Sequence, residues 1–141
     1  MQPNVSDYDT DFYRWTQETA QAILDKRTDA IDWEHVAEEI RDLGKSQKRE
    51  LESRLRVIAS HLLKCRYQPN QRSRSWDATI RTQQLELRTL LKQNPSLERA
   101  VPDALNEAFP GAAQVASLET GLPLATFPQQ CPFTPDEVLG Q

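Results

Sequence analysis

Three side chains of different chemistry, Glu39, His61 and Lys64, each fall on the polar edge of an apolar helical stripe. A carboxylate, an imidazole and an ammonium group meeting at one core boundary could carry out acid–base chemistry, because a neighbouring carboxylate tunes a histidine into the useful pH range. With His35 and Asp42 added, the oxygen and nitrogen donors Glu39, Asp42, His35 and His61 could also surround a cation. The ordinary reading is structural: polar groups at the rim of a core satisfy one another and set the register of two helices. The sequence calls for no metal and no cofactor.

A second constellation is basic. Arg72, Arg74, Arg81 and Arg88 run through one segment with Trp76 among them and Tyr67 nearby. With Trp76, Ile80 and Leu87 as the inner face of a helix, Arg74, Arg81, Arg88 and Lys92 point to the other side. Guanidinium groups beside aromatic rings suit a phosphate backbone and unstacked bases. The competing reading is a solvated helix face on which Asp77 pairs with Arg81 at the i,i+4 spacing.

Other chemistries find no support. Four glycines do not build a phosphate-cradling loop, and two histidines do not build a histidine-rich zinc site. Neither Cys65 nor Cys131 has an adjacent base that would make it a nucleophile, and reduced thiols are expected. Trp15, Trp33 and Trp76 sit on apolar stripes and read as packing residues.

These candidates must be positioned by helices, since apolar residues recur with helical spacing and no stretch alternates as a strand would. A first helix is expected over 8–25, with Tyr8, Phe12, Trp15, Thr19, Ala22 and Ile23 in one stripe and Asp7 or Asp9 as its cap. A second begins at Asp32, buries Trp33, Val36, Ile40 and Leu43, and ends at Gly44. A third, over 45–67, lines up Leu51, Leu55, Ile58, Leu62 and Cys65 at spacings suited to antiparallel helix packing, and would be about 35 Å long. A fourth follows Ser73 or Ser75 to about Lys92, with Gln83 in the middle of its apolar face. Residues 96–108 and 111–119 read as two helical pieces or one kinked helix, because Pro102 and Pro110 intervene. Gly121 closes that stretch. An extended tail follows, then a short helix capped by Thr134 with Pro135 in its first turn and Glu137 closing the box.

The length, 141 residues, suits one domain able to bury a core. The net charge of −4 conceals a basic centre: residues 1–50 balance at −5, 51–100 at +6 and 101–141 at −5. Such a centre attracts polyanions unless the chain's own acidic ends neutralise it. No apolar run approaches the ~20 residues that cross a membrane, and the start of the chain lacks a signal peptide's basic and apolar regions, so a cytoplasmic location is expected.

The ordered succession Tyr8-Asp9-Thr10-Asp11-Phe12-Tyr13-Arg14-Trp15, Ala37-Glu38-Glu39-Ile40-Arg41-Asp42-Leu43-Gly44, His61-Leu62-Leu63-Lys64, Arg72-Ser73-Arg74-Ser75-Trp76, Asn94-Pro95-Ser96-Leu97 and Glu119-Thr120-Gly121-Leu122-Pro123 resembles family 29 of the domains of unknown function, a set of short bacterial proteins. The resemblance spans nearly the whole chain. It implies an all-helical fold and carries no activity. It draws attention to Glu39, His61, Lys64, Arg72, Ser75 and Trp76 as the family's polar positions. Two departures are Cys65, where the pattern places an aromatic residue, and the break at Phe109-Pro110-Gly111.

The combined expectation is a single all-α domain over 1–141, with five or six helices and a proline-rich C-terminal tail. The favoured function is a non-catalytic interaction or regulatory module, accessory to a protein partner that docks on the basic face of the fourth helix or on the tail. A small enzyme using Glu39, His61 and Lys64 is the alternative. A nucleic-acid binder using Arg72, Arg74, Trp76, Arg81 and Arg88 is the third reading. No membrane partner is expected.

Overall fold

A computed structural model describes residues 5–141, with side chains from Tyr8 onward. The fold is all-α: the described residues form six α-helices, with 3-10 turns in every connection after α2, and no strand. The chain divides into two compact units, one ending at Lys45 and one beginning at Ser46.

In the first unit, α1 (Val5–Thr10) and α2 (Phe12–Leu24) replace the single expected helix. The break is chemical. Asp11 leaves helical geometry and its carboxylate accepts from the Arg14 amide at 3.1 Å, starting a new helix. Asp9 lies inside α1, while the cap read for Asp7 falls outside the described side chains. Trp15, Thr19 and Ala22 form the buried face of α2, as their spacing predicts. A 3-10 turn (Thr28–Ala30) then leads to α3.

The expected second and third helices are one. Helix α3 runs unbroken from Trp33 to Tyr67, 35 residues. Asp32 caps it, accepting from the His35 amide at 3.3 Å. Gly44 does not end it, and only Gly121 and Gly140 among the glycines adopt positive φ. Glycine alone costs a helix interior roughly 1 kcal/mol. Charged helix formers surround Gly44 and no proline follows, so that cost does not stop propagation. The buried side read for residues 33–43 is also corrected. Trp33, Ile40 and Leu43 are 52%, 62% and 68% exposed.

In the second unit, Leu51, Leu55 and Ile58 are fully buried, as their seam requires. Further along, Leu63 is buried and Leu62 only half-buried, because a 3.6-residue helix drifts from a 4,3 repeat. Helix α4 (Arg74–Gln93) starts where Ser73 accepts from the Trp76 amide at 3.2 Å. Its buried amide is Gln84, not Gln83. Gln84 donates to the Val138 carbonyl at 3.2 Å, while Gln83 accepts from Arg54 at 3.0 Å. A 3-10 turn (Pro95–Ala100) precedes α5 (Val101–Thr120), which passes through Pro110 as one element. Pro102 occupies the first turn, where no N–H is needed. Alanines 112, 113 and 116 let neighbours pack closely around the buried Phe109.

Gly121 ends α5 at φ +77. The tail buries Phe127 and Phe133, then forms α6 (Pro135–Leu139) with Thr134 accepting from the Glu137 amide at 3.1 Å. Val138 and Leu139 sit in the core. At Gly140, φ is +73, a backbone that side chains rarely adopt, and an added Cβ would lie 2.6 Å from the Gln84 Oε1 atom, so the Gln84 amide would have to shift.

Candidate functional site

The polar residues of interest fall into two clusters, one in each unit. In the first unit, Tyr8 stacks on His35 with ring centroids 3.8 Å apart, and Trp15 meets Tyr8 edge-on at 4.8 Å. The Tyr8 hydroxyl donates to Glu39 Oε2 at 2.5 Å. His35 Nδ1 donates to Asp32, the cap of its own helix. That bond, reinforced by the charges of Asp32, Glu38 and Asp9, raises the His35 pKa above the ordinary histidine value. The same bond lowers that of Asp32. Accepting carboxylate Glu39 pushes the Tyr8 hydroxyl pKa up. Tyr8, Glu39, His35 and Asp32 are paired with one another, whereas the buried Trp15 Nε1 has no hydrogen-bond partner, and the cluster reads as a polar clamp between α1 and the start of α3.

In the second unit, Lys64 has a side chain only 7% exposed. It donates to Glu119 Oε1 at 3.0 Å and lies 4.5 Å over the Trp76 ring. Helices α3, α4 and α5 are thereby tied at one point by a charge-assisted hydrogen bond and a cation–π contact. His61 is half-buried, and its Nδ1 donates to the Val57 carbonyl at 3.0 Å. Of the trio proposed for acid–base chemistry, His61 and Lys64 thus share the second unit, whereas Glu39 belongs to the first and is engaged by Tyr8. Among the described residues, no group of three or more His, Cys, Asp or Glu side chains is placed to hold a metal ion.

The basic set is also dispersed by function. Arg72 pairs with Asp77 at 2.8 Å, replacing the Asp77–Arg81 pair read from spacing. Trp76 lies beneath Lys64. Arg88 donates to the Leu139 and Gly140 carbonyls at 3.1 and 2.8 Å, so it satisfies the end of α6. Arg74 and Arg81 remain exposed with no hydrogen bond or ion pair to another described residue. Ser75 is exposed, its carbonyl accepting from Thr79.

Cys65 and Cys131 are free thiols. Burial pushes both up in pKa, which for Cys65 outweighs the opposing pull of Arg72. Cys65 contributes to a recess of about 270 Å³ with Arg66, Arg72, Phe133 and Glu137, where the Arg66 guanidinium covers the Phe133 ring at 4.7 Å. A groove of about 560 Å³ lies between α5 and the tail and is lined mainly by Phe109, Pro110, Ala113, Leu124, Phe127 and Pro128.

Sequence reasoning missed Tyr8 and Asp32 as partners of Glu39 and His35, Glu119 as the partner of Lys64, and the Gln84–Arg88 hold on α6. The i,i+3 spacing of Asp32 and His35 was a usable signal. The Lys64–Glu119 pair, 55 residues apart, leaves none in local periodicity.

No helix among the described residues is long and apolar enough to cross a membrane. No curated protein and no solved structure matches the chain. The family model described as "Domain of unknown function DUF29" matches residues 8–141, nearly the whole length, and the chain belongs to that family.

Proposed function

We propose that the chain is a non-catalytic protein-interaction module that docks through the first half of α3. The observation carrying this reading is the row of Trp33, Ile40 and Leu43 on one helical face, all more than half exposed. Scattered apolar residues on a surface need no explanation, but an aligned set of large ones marks an interaction face. An aromatic anchor with two aliphatic neighbours at helical spacing is the arrangement that binds a partner helix. Nearby, Tyr8, Glu39, His35 and Asp32 are engaged with one another, which supports a fixed platform rather than a reacting centre.

The test is a photo-reactive amino acid installed at position 40 and, as a control, at position 81. Irradiation of cells producing the full chain should give a discrete adduct of defined mass from position 40. Its absence there would sink the docking reading.

A second reading rests on Arg74 and Arg81, exposed and without protein partners on α4. They could engage a polyanion. Labelled oligonucleotides should then be retained at low salt and released steeply as salt rises, and Arg74→Glu with Arg81→Glu should abolish retention.

A further inference from the structure

We draw no further inference here: the strongest candidate, the apolar groove of about 560 Å³ between α5 and the tail, carries nothing because no group in the structure shows what covers it.

Discussion

Helix α3 carries two apolar rows of the same kind with opposite fates. Leu51, Leu55 and Ile58 are fully buried, whereas Trp33, Ile40 and Leu43 are mostly exposed. Both rows obey helical spacing, and nothing in the local pattern separates them. The difference lies in what covers each. The second unit supplies α4, α5 and a tail whose Phe127, Phe133, Val138 and Leu139 join one continuous apolar cluster with the Leu51–Ile58 row. Among the described residues of the first unit the buried ones are few: Trp15, Thr19, Ala22 and Ile31. Periodicity therefore reports that a helix has an apolar face, and the supply of covering side chains decides whether that face becomes core or surface.

The largest expected effect tests this contrast directly. Leu55→Ala or Ile58→Ala should cost about 2–5 kcal/mol in urea unfolding, through lost burial and a cavity. Ile40→Ala or Leu43→Ala should stay within about 0.5 kcal/mol. Equal costs in the two rows would erase the distinction.

Glycines sharpen the comparison. Gly140→Ala should destabilise by about 1–3 kcal/mol, because it forces a left-handed backbone and a clash with Gln84. Gly44→Ala should stabilise by about 0.5–1 kcal/mol, since Gly44 sits inside a helix with open space around it. A destabilised Gly44→Ala protein would mean that α3 does end there.

The charge that ties the second unit gives an ordered pair of smaller effects. Glu119→Gln leaves the Lys64 ammonium buried with weaker compensation and should cost about 1–2 kcal/mol, discounted because Glu119 is half-exposed. Lys64→Met removes the buried charge while keeping a flexible apolar chain over Trp76, and should cost less. Chemical denaturation of the two variants side by side checks the order.

How much of this was legible in the sequence follows from the range of the forces involved. Caps are local, and Ser73 and Thr134 start α4 and α6 where their spacing predicted. Gly44 misled because a glycine reads as a stop only if the flanking residues do not outvote it. Gln84 was missed in favour of Gln83 because a shift of one residue, about 100° around the helix, is invisible without knowing which side α6 occupies. Lys64 was singled out, but its partner Glu119 comes from another helix far along the chain, and only folding brings the two together.

The pH dependence is the gentlest probe of the first unit. His35 has a folded pKa raised by its bond to Asp32, so its contribution is complete below the unfolded histidine value of about 6.5 and is lost as pH rises through the folded value. Asp32, lowered by the same bond, contributes above its unfolded value and loses that contribution as pH falls through its folded one. The Tyr8–His35 contact should therefore hold best in mildly acidic solution and loosen towards alkaline pH. NMR titration of the His35 ring, with Asp32→Asn returning its midpoint towards the ordinary value, follows this change.

The contrast within α3 is tested most directly by hydroxyl-radical footprinting at low protein concentration, read by mass spectrometry. Ile40 and Leu43 should be oxidised readily, while Leu51 and Leu55 on the same helix stay protected. Equal protection of all four would show that the first row is covered within the chain itself and would remove the basis for a docking face.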